Sequence, residues 1–129
     1  MALTLLLPWP PTANNLYFNS PRGGRCLSPL GRLYAIRVGL EVRKHRNAFG
    51  TDRLSLSITA NPPDRRRRDL SNLPKCLEDA LTKARIWADD SQVDDLRVIR
   101  GEPTPGGSLT VTIARMTDAD DTGHDGQDV

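Results

Sequence analysis

The stretch from Leu54 to Arg85, LSLSITANPPDRRRRDLSNLPKCLEDALTKAR, changes its hydrophobic period in the middle, and that change decides the fold class. Leu54, Leu56 and Ile58 alternate with Ser55, Ser57 and Thr59, the period of two of a strand with one wet face. Pro62-Pro63 ends it. Farther on, Leu73, Cys76, Leu77, Ala80, Leu81 and Ala84 recur at helical spacing, so an amphipathic helix is predicted over roughly Ser71 to Arg85. Pro74 belongs in the first turn of that helix, because farther in it would remove an intrahelical hydrogen bond. Ser71 is then the expected N-cap, with Asp69 just ahead of it and Lys75 one turn inside.

Outward from this segment the same periods recur. Leu3 to Leu7 reads as a buried first strand stopped by Pro8-Trp9-Pro10-Pro11, and the polar, Asn-, Gly- and Arg-rich segment from Thr12 to Arg25 reads as a long mobile loop. Ser28-Pro29 starts a helix in which Leu33, Ile36 and Leu40, with Leu30, Tyr34 and Val42 beside them, give a broad apolar face through to about Lys44. On the other side, Leu96 to Ile99 and Leu109, Val111 and Ile113 form two more strands. The Thr104-Pro105-Gly106-Gly107 link predicts that these two pair as a hairpin. The order strand, helix, strand, helix, strand, strand implies an α/β (α+β) fold, a mixed sheet of about four strands under two main helices, in one domain over residues 1–116. The acidic tail, 117–129, is expected to be disordered.

Charge is unevenly distributed. Eighteen Lys and Arg face sixteen Asp and Glu, but five of the acids fall after Met116, where no basic residue stands, leaving the body at +7. Fifteen of the eighteen bases are Arg, whose planar fork suits phosphate, so a polyanionic partner is plausible; an ordinary charged surface is the plain alternative. Two cysteines and two isolated histidines supply neither a disulfide framework nor a four-ligand zinc site. No apolar run approaches a membrane span, and a soluble, cytoplasmic protein is expected.

The chemistry concentrates around Asp64-Arg65-Arg66-Arg67-Arg68-Asp69. Four adjacent Arg repel one another; a solvated loop tolerates this, whereas a nucleic-acid backbone rewards it by releasing counterions. A second acidic cluster, Asp89-Asp90, follows the Ser71–Arg85 helix, with Asp94-Asp95 beyond it. Asp side chains at the two ends of one helix either make polar turns or converge on a hard cation such as Mg²⁺, which takes oxygen ligands and keeps waters.

The run Pro63 to Leu70 with Asn72-Leu73 and Lys75, then Asp79 to Ala84, Trp87, Asp89-Asp90 and Gln92-Val93, resembles the signature of the RusA family of Holliday junction resolvases. The opening Leu7-Pro8-Trp9-Pro10-Pro11 with Asn14-Asn15 resembles that family's start, and the similarity runs over about residues 3–116. The resemblance implies a homodimer that nicks two opposed strands of a four-way DNA junction with Mg²⁺, or Mn²⁺, and no organic cofactor, in a bacterial or phage-infected cell. It implies Asp69 and Asp90 as metal ligands, Lys75 as their catalytic companion, and Arg65, Arg66, Arg67, Arg68, Asn14 and Asn15 against DNA. One residue departs from the pattern: the family's Asp-x-Asp-Asn appears here as Asp69-Leu70-Ser71-Asn72, which puts a neutral hydroxyl at a metal-ligand position. A junction-binding protein with weak or no cleavage is therefore the second reading, and a regulatory DNA-binding dimer the third.

Overall fold

The computed structural model describes residues 2–12 and 17–116; Asn14, Asn15 and the acidic tail lie outside them. Six strands, β1 (Ala2–Pro8), β2 (Tyr17–Asn19), β3 (Arg25–Leu27), β4 (Leu54–Asn61), β5 (Val93–Arg100) and β6 (Ser108–Arg115), accompany two α-helices, α1 (Pro29–Val42) and α2 (Leu73–Lys83). The main sheet has four strands in the order β1-β6-β4-β5. Its first three are antiparallel neighbours and β5 runs parallel to β4. Parallel neighbours need a crossover, and α2 lies within it. The mixed α+β architecture read from the hydrophobic periods is the one observed.

Alternation accounts for the core. Leu54, Leu56, Ile58 and Ala60 of β4, Leu109, Val111 and Ile113 of β6, and Leu5 and Leu7 of β1 are all buried, on the face that the helices cover. Cys76, Leu77, Ala80 and Leu81 of α2 and Tyr34, Val38 and Val42 of α1 close over them. Full burial of each large aliphatic side chain contributes about 1.5–3 kcal/mol.

Four expectations change. The β5–β6 hairpin does not form: the chain after β5 crosses the end of β4, where Gly101 N donates to Ala60 O and Thr104 N to Pro62 O, both at 2.8 Å. β6 brings three fully buried side chains and occupies the inside of the sheet, while β5, with Asp94, Asp95, Arg97 and Arg100, suits a solvated edge. Part of the expected mobile loop is a small β2–β3 hairpin, closed by Ser20 and by Gly23 and Gly24 at positive φ.

The α1 helix starts as predicted, with the Ser28 hydroxyl accepting from Gly31 N at 3.0 Å, but its apolar face is split. Gly31, Tyr34, Val38 and Val42 face the core, whereas Leu30, Leu33, Ile36 and Leu40 are each more than half exposed on the opposite side. Small Gly31 and the Tyr34 hydroxyl, which donates to Pro8 O at 2.9 Å, seat the first set against the sheet. Finally, α2 begins two residues later than expected. A 3-10 turn, Leu70–Asn72, precedes it, so Asp69 rather than Ser71 is the side chain that caps the helical entry.

Gln92 is the single buried polar side chain of the described residues, 5% exposed. Its Nε2 donates to Gly50 O at 3.0 Å and Asp52 O at 2.8 Å, while Oε1 accepts from Ala88 N at 2.8 Å and Asp89 N at 2.7 Å. Four bonds tie the segment entering β4 to the segment entering β5. Gln92→Leu leaves Asp52 O and Asp89 N without these partners, while Ala88 N keeps its bond to Gly50 O, and is expected to cost about 2–4 kcal/mol, read as a lower urea midpoint at an unchanged slope. Gln92→Glu has the right shape but turns a donor into an oxygen facing two carbonyls. In its protonated form the substituted carboxyl can still donate to one of them, so that variant should be most stable in acid and lose stability as pH rises through its elevated pKa.

Candidate active site

After Pro62-Pro63 the chain turns, and Asp64 closes the turn: its Oδ1 accepts from Arg66 N at 2.9 Å and from the Arg68 guanidinium at 2.6 Å. The Arg68 bond first, then the Arg66 amide, hold the Asp64 carboxyl at about 2, so it stays charged through any physiological range. Arg68 is thereby consumed within the protein. It also lies over the Trp9 ring, 5.9 Å from its centroid, and its side chain is 24% exposed against 82% for Arg65 and Arg66. Those two make only long, solvated pairs with Glu102 and Asp64, and Arg67 is exposed beside them. Such pairs are weak enough to be exchanged for phosphate.

Arg100 carries no mark in the sequence. It ends β5, and because β5 is parallel to β4 it arrives beside the arginine turn, donating from Nη2 to Arg68 O at 2.8 Å. No local signal reveals this placement, and a β5–β6 hairpin would hide it.

Asp69 accepts at Oδ1 from both Ser71 N (3.1 Å) and Ser71 Oγ (2.9 Å). The Ser71 backbone bond, then its hydroxyl, lower the Asp69 pKa, and the charge of Arg100 adds a smaller pull. Ser71 thus touches the first carboxylate of the motif directly, as a donor to it.

On the first turn of α2, Lys75 Nζ lies 3.2 Å from Asp79 Oδ1 and 3.7 Å from Asp90 Oδ2. Asp79, one turn along the helix, is the main cause of the raised Lys75 pKa, with Asp90 adding to it, so the ammonium is retained. The neighbouring acids Asp89 and Asp90 are separated by environment. Asp89 caps the 3-10 turn Asp90–Gln92 by accepting from Ser91 N at 3.0 Å, while Asp90 faces Lys75. The bonds to Ser91 lower the Asp89 pKa.

The structure therefore brings Lys75 to Asp90, and Asp69 to Ser71. No hydrogen bond or ion pair joins the two sets among the described residues, and no three carboxylate, imidazole or thiol groups among them converge on one metal position. Asn14 and Asn15 fall outside the described residues.

Half-buried Glu78 completes the acidic surroundings of Lys75. Burial first, then the charge of Asp90, raise its pKa, so the ionised form is disfavoured in the fold. Such a group weakens the fold as pH rises from its ordinary pKa to its elevated one, and costs nothing in acid, where both states are protonated. Glu78→Gln should accordingly raise the melting temperature at pH 7–8 and leave it nearly unchanged near pH 4, measured by thermal unfolding at both.

The model of the family described as Endodeoxyribonuclease RusA matches residues 8–114. The chain is 42% identical over 114 residues to Crossover junction endodeoxyribonuclease RusA of Escherichia coli (strain K12), covering 88% of this chain and 94% of that protein. It is similarly 42% identical over 113 residues to Crossover junction endodeoxyribonuclease rusA of Enterobacteria phage 82, covering 87% and 93%. A third relative of that name, from Escherichia coli O139:H28 (strain E24377A / ETEC), is 40% identical over 116 residues, 89% of this chain and 96% of that protein. The match spans the chain from the end of β1 through the arginine turn and α2 into β6, and this chain belongs to the RusA family of endodeoxyribonucleases.

Proposed function

We propose that the protein is a Mg²⁺-dependent endonuclease that acts as a homodimer on four-way DNA junctions, nicking two opposed strands. The observation that carries this reading is the approach of Lys75 to Asp90 across the gap between α2 and β5, at the same helix start that carries Asp69 and beside a turn with three exposed Arg. Asp69, Asp90 and the Ser71 hydroxyl offer hard oxygens, the donor type that Mg²⁺ takes with water completing its shell. When bound, the metal supplies an activated water and neutralises phosphoryl oxygens. Lys75, kept protonated by Asp79, offers its ammonium to a non-bridging phosphate oxygen or the departing oxyanion. Arg65, Arg66 and Arg67 hold the flanking backbone, and Arg68 holds the turn itself.

The second reading, junction binding with little cleavage, is favoured by one observation: the hydroxyl of Ser71 donates to Asp69 where the family motif has another carboxylate. A labelled four-way junction and a matched linear duplex, each with Mg²⁺ or Ca²⁺, separate the two. Paired nicks with Mg²⁺ alone support cleavage; tight junction binding without nicks supports the second reading; equal binding to both DNAs rejects both. Ser71→Asp should lower the Mg²⁺ needed for nicking, since it restores an anionic oxygen, and a carboxylate close to the helix start suits the positive end of its dipole. Asp90→Asn should abolish nicking and spare binding in Ca²⁺. Unaltered nicking by the Asn variant removes Asp90 from the site.

The homodimer has a candidate surface. Leu30, Leu33, Ile36 and Leu40 form an exposed stripe along α1, flanked on one side by Arg37 and Glu41. A two-fold contact must be self-complementary, and two antiparallel copies of α1 would bury the stripe while setting Arg37 of each near Glu41 of the other. A dimer of this kind presents two active sites to a junction of approximate two-fold symmetry. Leu33→Glu with Leu40→Glu should give a folded monomer by sedimentation that has lost paired nicking; an unchanged dimer places the interface elsewhere.

A further inference from the structure

A cleft of about 290 Å³ lies beside Asp69, between the Trp9–Thr12 segment that follows β1 and the Arg68–Leu73 segment that enters α2. Its walls are largely flat and apolar, from Trp9, Pro10, Pro11, Leu70 and Leu73. Asp69, a metal ligand in the proposed nuclease chemistry, stands at its edge, but that chemistry assigns nothing to the apolar walls. We propose that this cleft receives one unpaired nucleobase of the bound DNA, stacked on Trp9 and read at its edge by Asn72, and that it selects where the strand is cut. The proposal rests on the DNA-binding reading and adds a base subsite to it.

The Trp9 ring is fixed from two sides. Gly107, at φ +72°, lies so close that a Cβ there would stand 2.9 Å from Trp9 Cβ and Cγ, so only glycine lets the β5–β6 connection lie against the indole. The Arg68 guanidinium lies 5.9 Å from the ring centroid, at the outer reach of a cation-π contact, and is itself pinned by Asp64 at 2.6 Å. A held aromatic with an adjacent guanidinium is the surface on which proteins stack unpaired bases.

Charge decides between a base and a phosphate. The one basic group lining the cleft, Arg68, already serves Asp64, so no cation in its walls is free to neutralise a phosphate. The exposed Arg65, Arg66 and Arg67 lie outside and suit the backbone better. A neutral planar ring with hydrogen-bonding edges is repelled by none of these groups. Asn72, at the N-cap of α2, makes no capping bond with its side chain, so its amide retains the donor and acceptor needed to read such an edge. A base seated here brings its own phosphate toward Asp69, which couples base identity to the position of the scissile bond.

The test measures binding in Ca²⁺, apart from cleavage, on two four-way junctions: one with ordinary nucleotides at the branch point and one with abasic sugars there. Wild-type protein should bind the abasic junction about tenfold more weakly, the loss expected for one stacked base. Trp9→Leu should bind both equally, at the weaker level, while Trp9→Phe retains most of the difference. Asn72→Ala should keep the preference for a base but lose discrimination among the four bases. Tryptophan emission gives a second readout: Trp87 is buried, with Nε1 donating to Thr82 Oγ1 at 2.7 Å, so quenching by the base-bearing junction reports Trp9. If Trp9→Leu does not fold, the wild-type comparison and Asn72→Ala still decide. Equal wild-type affinity for the two junctions overturns the base subsite and leaves the nuclease reading intact. Failure of the wild-type protein to bind either junction overturns both.

Discussion

The side-chain amide of Gln92 joins the segments that lead into β4 and β5, adding four bonds to the single backbone bond from Ala88 N to Gly50 O. It uses both N–H bonds and two acceptor positions on the backbone at Gly50, Asp52, Ala88 and Asp89. Buried amides of this kind are costly when unpaired, so the four bonds act together or not at all. Their consequence is positional. The entry into β4 and the entry into β5 are held as one unit, and Asp90 stands two residues before the amide that holds them. The reach from Lys75 to Asp90 therefore depends on a residue that takes no part in the chemistry.

Parallel pairing of β4 and β5 does the rest. A chain leaving β4 must travel back before β5 can begin, and α2 makes that return. Both ends of the crossover consequently carry chemistry. The first bears the arginine turn, Asp69, Ser71 and Lys75; the second bears Asp89 and Asp90; and the far end of β5 returns Arg100 to the first. A hairpin between β5 and β6 would have removed the parallel pairing with β4 along which Arg100 reaches Arg68 O.

The polar residues of this region fall into two kinds of environment. Arg68, Asp64, Asp89 and Gln92 satisfy one another or the backbone and hold the geometry. Arg65, Arg66, Arg67 and Lys75 remain mostly in water, where a nucleic-acid backbone can reach them. Ser71 sits between the kinds: exposed at the surface, its hydroxyl donates to Asp69, which stabilises the turn and occupies a carboxylate oxygen.

Local periodicity and capping chemistry sufficed to read β1, β4, β6, the Ser28-Pro29 start of α1 and the body of α2, because each depends on contacts within a few residues or on one clearly apolar face. The motif holding Asp69, Lys75 and Asp90 stood out in the sequence through its resemblance to a family pattern, not through periodicity. Tertiary structure alone decided the partner of β5, which of two apolar stripes on α1 enters the core, which of Asp89 and Asp90 meets Lys75, and that Arg68 is spent on Asp64 and Trp9. Each of these is a choice between chemically similar candidates. Such choices are settled by which surface the remainder of the chain leaves uncovered, a quantity that no window of neighbouring residues contains.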